Sequence, residues 1–139
     1  MAGVVACLKA LTPEAKACLG SQLFEIPHFP FRIGRESRVG PEQQVAASRR
    51  RPDSFPNNDL YLVEIGTVLN VSREHLQIEL RDGQYFLVDR GSACGTLVEG
   101  VLIGENRQGG EWTIRNNDVF IVGTSESKYV FKVLLNEIP

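Results

Sequence analysis

Three short stretches of this chain combine arginine, a small hydroxyl residue and glycine where apolar runs begin or end. They are Ile33-Gly34-Arg35, Val71-Ser72-Arg73-Glu74-His75 and Asp89-Arg90-Gly91-Ser92-Ala93-Cys94-Gly95-Thr96. A guanidinium offers paired, permanently charged donors to a phosphate ester, and a serine hydroxyl adds a short neutral donor. The three stretches therefore indicate recognition of a phosphate ester rather than catalysis.

The residue types of a hydrolase triad are present in Ser72, His75 and Asp89. If Ser72 and His75 lie on one extended segment, their side chains point to opposite faces, which keeps a nucleophile away from its base. No Gly-x-Ser-x-Gly motif accompanies them. We therefore expect no enzymatic activity and no catalytic residue.

Length and charge limit the possible classes of protein. A chain of 139 residues is expected to form a single domain over residues 1–139. With 15 basic and 17 acidic residues, its formal charge of −2 gives no general attraction to nucleic acid or a membrane surface. Neither a long apolar run nor a basic leader is present, so we expect a cytoplasmic protein without a membrane span or signal peptide.

The three cysteines, Cys7, Cys18 and Cys94, have no Cys-x-x-Cys spacing, and the chain has only two histidines. This pattern argues against a zinc site and a disulfide framework, so we expect neither a metal nor a cofactor. A Cys7–Cys18 bridge stays open beside the simpler reading that Cys7 packs as a small apolar residue.

Short apolar segments separated by turn-forming residues predict an all-β sandwich. They are Val4–Leu11, Gln22–Ile26, Phe31–Arg35, Leu60–Glu64, His75–Leu80, Gln84–Asp89, Thr96–Val98, Glu111–Ile114, Asp118–Val122 and Tyr129–Leu135. Within the fifth segment, Leu76, Ile78 and Leu80 alternate with polar residues and predict one buried face. Asp82-Gly83 between two segments is typical of a type I′ hairpin turn.

Two stretches interrupt the strand pattern. Thr12-Pro13 could cap a helix, but so few residues precede Gly20 that we expect a loop or a single turn. Residues 36–58 predict a long polar loop after the third strand, containing arginines 49 to 51. Those arginines fit a solvated loop, a second anion contact or a nucleic-acid site.

Taken together, Gly34-Arg35, Ser72-Arg73-x-His75 and Asp89-x-Gly91-Ser92-x-x-Gly95-Thr96 resemble the forkhead-associated (FHA) family, a phosphothreonine-reading β-sandwich. Order and spacing match over roughly residues 23–135. The resemblance implies two packed, mainly antiparallel sheets of about eleven short strands, with a peptide held by the loops at one end.

The resemblance also implies roles for individual residues. Arg35 would make the principal phosphate contact, and Ser72 would donate to another phosphate oxygen. Arg73 would add a second charge, or it would form a surface ion pair with Glu74 or Asp89.

In the same comparison, Ala93 and Cys94 would face the peptide, and the site would be supported by Gly34, His75, Gly95 and Thr96. Cys94 stands where the family commonly has an asparagine that grips the peptide main chain. A thiol replaces neither its donor nor its acceptor well, so we expect weaker or differently oriented binding. Glu99, also at a common asparagine position, could sit harmlessly in a turn or place a negative charge near the ligand.

The function implied is a phosphothreonine-peptide binding module that recruits a Ser/Thr kinase or its substrate in signalling. The alternative is a diverged FHA scaffold that mediates phospho-independent protein assembly. We expect no nucleic-acid or membrane partner.

Overall fold

The computed structural model describes residues 5–36, 57–64 and 69–136. Most of the predicted loop over residues 36–58, including arginines 49 to 51, lies outside these ranges. Eleven strands and one helix are present: β1 (Val5–Ala10), α1 (Pro13–Leu19), β2 (Leu23–Glu25), β3 (Phe31–Arg35), β4 (Leu60–Leu62), β5 (Leu76–Arg81), β6 (Gln84–Asp89), β7 (Thr96–Val98), β8 (Val101–Ile103), β9 (Gly110–Ile114), β10 (Val119–Val122) and β11 (Val130–Asn136).

The strands form two sheets, one in the order β2-β1-β11-β10-β7-β8 and the other in the order β4-β3-β5-β6-β9. The pairing of β3 with β4 is parallel. Pairs such as β1 with β11 and β5 with β6 run antiparallel. The prediction of a two-sheet, mainly antiparallel all-β fold is confirmed.

Alternating side chains from the two sheets form the core. The fully buried large side chains include Leu8, Phe31, Ile33, Leu76, Ile78, Leu87, Val98, Phe120 and Phe131. The expected buried face of β5 is confirmed for Leu76 and Ile78 but wrong for Leu80, which is 40% exposed beside the hairpin turn. That turn has positive φ at Asp82 (50°) and Gly83 (80°), which confirms type I′ geometry.

The expectation of a loop or single turn after Thr12 is wrong, because α1 has seven residues. The Thr12 hydroxyl accepts from the Ala15 N–H at 3.2 Å, and Gly20 ends the helix with φ 80°. Ala15 and Leu19, four residues apart, are buried against the core. Tertiary burial stabilises a helix too short to persist alone.

Strand β8 was not anticipated from the sequence. Val101 and Leu102 are 44% and 43% exposed, so this edge strand carries no clear burial pattern. Cys7, Cys18 and Cys94 are all free thiols, which rules out the Cys7–Cys18 bridge in this structure. In the described ranges, no helix combines the length and the apolar character needed to cross a lipid bilayer.

Candidate functional site

Strand β3 ends beside the segment of residues 69–75 that leads into β5, and this brings Arg35 next to Ser72. The Arg35 N–H donates to the Ser72 carbonyl at 2.9 Å. The Arg35 guanidinium Nε donates to the Val71 carbonyl at 2.8 Å. That second bond orients the guanidinium and uses one of its five N–H donors, which leaves the others for a ligand.

Gly34 is required because the neighbouring backbone approaches it closely. A Cβ built at this position would lie 2.0 Å from the Arg73 carbonyl oxygen and 2.6 Å from the Asn58 side-chain amide. No larger side chain fits here unless the segment around Arg73 moves. The glycine before Arg35 therefore sets the separation between β3 and the loop that carries Ser72 and Arg73.

His75 joins two loops at the end of the sandwich. Its ring is completely buried, and Nδ1 accepts from the Ser72 N–H at 2.9 Å. Because Nδ1 accepts this bond, the ring hydrogen lies on Nε2, which donates to the Gly95 carbonyl at 2.7 Å. Burial lowers the pKa of His75 below its usual value. A neutral imidazole thus bridges the Ser72 loop and the β6–β7 loop.

A second buried group, the Asp89 carboxylate, shapes the β6–β7 loop. One oxygen accepts from the backbone N–H groups of Gly91 at 3.0 Å and Ser92 at 2.8 Å. The other accepts from the hydroxyls of Ser92 at 2.6 Å and Thr96 at 3.3 Å. The Ser92 hydroxyl oxygen in turn accepts from the Gly95 N–H at 2.9 Å. The loop is therefore folded around one carboxylate.

These contacts separate the three residues that could have formed a hydrolase triad. Both His75 ring nitrogens are engaged, by the Ser72 N–H and the Gly95 carbonyl, so neither is placed to take a proton from the Ser72 hydroxyl. Asp89 is bonded to its own loop rather than to His75. The geometry provides no activated serine.

Ala93 and Ser72 are in direct contact, because the Ala93 N–H donates to the Ser72 hydroxyl oxygen at 3.0 Å. The Ser72 hydroxyl can still donate its own hydrogen to a ligand. Cys94 is partly buried, and its thiol lies 3.8 Å from the Leu69 carbonyl. Arg35, at the end of β3, thus lies beside the loops that carry Ser72, Ala93 and Cys94.

A cavity of about 390 Å³ opens beside Ser72. It is lined by Asn57, Ser72, Arg73, Glu74, Arg90, Gly91 and Arg107. Arg35 is not among the lining residues. The Arg90 guanidinium is held at 2.6 Å from the Asn58 side-chain oxygen and 2.9 Å from the Asn57 carbonyl. Burial lowers the pKa of Arg90 from its usual value.

The turn between β8 and β9 carries Arg107 to this cavity. Glu105, Asn106 and Arg107 have φ values of 121°, 51° and 63°. The Asn106 N–H donates to the Ala93 carbonyl and the Arg107 N–H to the Ser92 carbonyl, both at 2.9 Å. Left-handed backbone at non-glycine residues persists only where surrounding contacts impose it. These two bonds hold the turn against the β6–β7 loop.

The sequence matches the family model for the FHA domain over residues 31–123. The chain belongs to the FHA domain family. No curated protein sequence matches it. FHA domains are interaction modules, and the solved structures that resemble this one support the same fold.

Three of these FHA structures illustrate the likeness. The kinase-interacting FHA domain of the Arabidopsis kinase-associated protein phosphatase has a TM-score of 0.62 at 20% identity, with 100% of this chain and 99% of that chain covered. Mycobacterium tuberculosis EmbR, solved with a low-affinity phosphopeptide, has a TM-score of 0.58 at 18% identity, with 97% and 25% covered. A yeast splicing factor of the RES complex has a TM-score of 0.64 at 16% identity, with 97% and 82% covered.

Two alternatives left open by the sequence are settled within this FHA fold. Arg73 forms no ion pair with Glu74, Asp89 or any other acidic residue in the described ranges. Glu99 lies in the β7–β8 turn with φ 49°, and its carboxylate accepts from the Val119 N–H at 2.7 Å. Glu99 therefore lies in a turn, where its carboxylate is bound to the β10 backbone.

Sequence reasoning missed Arg90, Arg107 and Asn58. Asn58 is fully buried, and its side-chain amide donates to the Arg73 carbonyl at 2.7 Å while its oxygen accepts from Arg90. The adjacent Asn57-Asn58-Asp59 was a visible polar cluster before β4, but no spacing connects it to residues 73 and 90. The pairing of β4, β3, β5 and β6 brings these residues close, and the Asn58 hydrogen bonds join them.

Proposed function

We propose that this FHA domain binds a phosphothreonine peptide and thereby recruits a phosphorylated partner in Ser/Thr-kinase signalling. The phosphate would be held by the Arg35 guanidinium and the Ser72 hydroxyl, with Arg73 as the second charge. The observation that carries the proposal is the 2.9 Å bond between the Arg35 N–H and the Ser72 carbonyl. It supports the proposal because it holds next to each other the two residues that would supply a charged and a neutral phosphate donor.

Electrostatics support an anionic ligand at this end of the domain. In the described ranges, neither Arg35 nor Arg73 is neutralised by an acidic side chain. The chain as a whole has a formal charge of −2, so this local excess of positive charge does not reflect general basicity. The phosphopeptide bound to EmbR, a protein of similar fold, fits the same reading.

The test is a titration of matched peptides that contain threonine, phosphothreonine or phosphoserine at one position of a degenerate library. Phosphothreonine should bind and threonine should not. Burial of the threonine methyl, at about 0.8 kcal/mol, should favour phosphothreonine over phosphoserine about fourfold. Equal affinity for threonine and phosphothreonine would reject the proposal in favour of phospho-independent assembly.

The matched variants are Arg35→Ala, Arg35→Lys and Arg115→Ala. Losing two charge-assisted bonds should reduce affinity by about 100-fold in Arg35→Ala. Arg35→Lys should restore only part of this loss, because an ammonium is not bidentate. Arg115, an exposed arginine on the β9–β10 turn, serves as the control and should bind normally. Thermal melts would establish that each variant is folded.

A further inference from the structure

We propose that the cavity beside Ser72 is a second anion-binding subsite, in which Arg90 and Arg107 hold the anion while Arg73, also in the lining, serves the phosphothreonine phosphate. Its ligand would be a phosphoryl group or a carboxylate on a residue near the phosphothreonine in the same peptide. The inference rests on the proposed function and specifies which phosphopeptides this domain prefers.

The composition of the lining gives the cavity a positive charge. Among the described residues that line it are three arginines and one acidic residue, Glu74, so positive charge exceeds negative charge in this part of the lining. Glu74 is already engaged, since its carboxylate accepts from the Asn57 side-chain amide at 3.3 Å. In the described ranges, no acidic residue forms an ion pair with any of the three arginines.

Arg90 is the most constrained of the three arginines. Two neutral oxygens, one from the Asn58 side chain and one from the Asn57 backbone, fix its guanidinium at the cavity wall. Burial lowers the pKa of Arg90, which means that its charge is partly removed from water. A partly desolvated cation such as Arg90, whose hydrogen bonds to Asn57 and Asn58 go to neutral oxygens, is stabilised when an anion binds beside it.

Arg107 reaches the cavity from a turn that is itself fixed. The backbone of this turn is bonded to Ser92 and Ala93, and Ala93 is bonded to the Ser72 hydroxyl. The Arg107 backbone is therefore held near Ser72 by a continuous set of hydrogen bonds, and its exposed side chain lines the cavity. A guanidinium placed this way can form two parallel bonds to a phosphoryl group or a carboxylate.

The position of Ser72 explains why both anions would come from one peptide. Ser72 lines the cavity, and its carbonyl accepts from the Arg35 N–H on the other side. An extended peptide advances about 3.3 Å per residue, so residues close to the phosphothreonine can reach the cavity. At about 390 Å³, the cavity lies within the roughly 300–1,000 Å³ typical of ligand pockets.

The experiment measures how much a second negative group improves binding. Phosphothreonine peptides would carry phosphoserine, glutamate or glutamine at each position within four residues on either side. At the best position, phosphoserine should improve the dissociation constant about tenfold over glutamine, with glutamate in between. The phosphoserine and glutamate series separate the two sources of the anion.

Variants then locate the effect. For each variant, the readout is the ratio of dissociation constants for the glutamine and phosphoserine peptides. Arg107→Gln should reduce the ratio from about ten to below two, and Arg107→Glu should reduce it further by repulsion. Arg115→Gln removes an equal charge outside the cavity and should keep the ratio near ten.

Two results would overturn the subsite while leaving the proposed function intact. One is a wild-type ratio below two at every position although phosphothreonine is still preferred to threonine. The other is an Arg107→Gln variant that keeps the wild-type ratio. The ratio is also kept if Arg107→Gln weakens binding of both peptides by the same factor. In that case the cavity belongs to the primary phosphate site, and the proposal is wrong. Failure of the proposed function itself would show as equal binding of threonine and phosphothreonine.

Discussion

Beneath the Ser72 loop and the β6–β7 loop, Asp89 and His75 have all their side-chain polar atoms engaged, whereas beside those loops Arg73 and Arg107 have no charged partner in the described ranges. The first region is buried and held by short bonds. The second is exposed and positively charged.

The difference between these regions separates loop architecture from recognition. The contacts that shape the loops come from residues of the three sequence motifs within the family match, namely Gly34, His75, Asp89 and Gly95. Arg107 lies outside those motifs, although it lines the cavity. Substitutions in the buried region should therefore change stability, and those in the exposed region should change affinity.

The largest effect is expected for Asp89→Ala. Removing the carboxylate leaves the hydroxyls and N–H groups of the β6–β7 loop without their acceptor, and each unsatisfied buried group costs about 1–3 kcal/mol. We expect the free energy of unfolding to fall by about 3 kcal/mol or more, measured by urea denaturation.

Asp89→Asn keeps one acceptor oxygen and should lose less stability, which preserves the test if the alanine variant does not fold. The exposed residue Glu126 supplies a control, since Glu126→Ala should change stability by no more than about 0.5 kcal/mol. A loss below about 1 kcal/mol in Asp89→Ala would mean that the carboxylate does not hold the loop.

The next effect compares two glycines. Gly34→Ala would place a methyl 2.0 Å from the Arg73 carbonyl, so the loop must shift, at a cost of about 2–3 kcal/mol. Gly83→Ala meets nothing within 4 Å and only strains a turn with φ 80°, at about 1 kcal/mol. Unfolding curves of both variants measure the difference. Equal destabilisation would remove the proposed reason for glycine at position 34.

The same pair of regions shows what the sequence could predict. Alternation in β5 and the Asp82-Gly83 turn depend on local chemistry, and both were predicted correctly apart from Leu80. Helix α1 was underestimated because its stability comes from burial of Ala15 and Leu19, which no local signal reports. Strand β8 was missed because only Ile103 of its three residues is buried, so the strand shows no alternating pattern.

The site divides in a similar way. The motif around His75 and the motif around Asp89 are brought together by the register of β5 against β6, in which Leu76 faces Asp89. A family resemblance carries that register implicitly. The approach of Arg107 depends on a turn with unusual backbone angles, and its bonds to Ser92 and Ala93 have no counterpart in sequence spacing.

A smaller effect is expected from the pH dependence of stability. Burial lowers the pKa of His75, whereas an unfolded histidine titrates near 6.5. As the pH falls below about 6.5, the unfolded state therefore binds a proton more strongly than the native state does. The free energy of unfolding then decreases. The slope from one proton is at most about 1.4 kcal/mol per pH unit.

Urea denaturation at pH 7.5, 6.5 and 5.5 measures this slope above the range where ordinary carboxylates titrate. His75→Gln should flatten the profile in addition to lowering stability at pH 7.5. His28→Gln removes the other histidine, which is exposed and lies 3.5 Å from the Asp59 carboxylate, and serves as the comparison variant. A profile that is unchanged in His75→Gln would assign the slope to other groups.

The smallest effect concerns Cys94, on the recognition side of the comparison. The thiol has only a 3.8 Å contact with the Leu69 carbonyl, so its replacement costs the fold little. In Cys94→Asn, an amide would offer a peptide backbone both a donor and an acceptor. One added hydrogen bond is worth about 0.5–1.5 kcal/mol, so phosphopeptide affinity should rise about two- to tenfold.

Fluorescence anisotropy with the best phosphothreonine peptide measures this gain, and Cys94→Ala serves as the matched control because it removes the thiol without adding a donor or acceptor. A gain in both variants would show that the thiol hinders binding sterically. A gain in Cys94→Asn alone, with an unchanged free energy of unfolding, would place position 94 with the arginines rather than with Asp89 and His75. The neighbouring Ser92 and Gly95 would then build a loop in which Cys94, next to Ala93, makes a ligand contact.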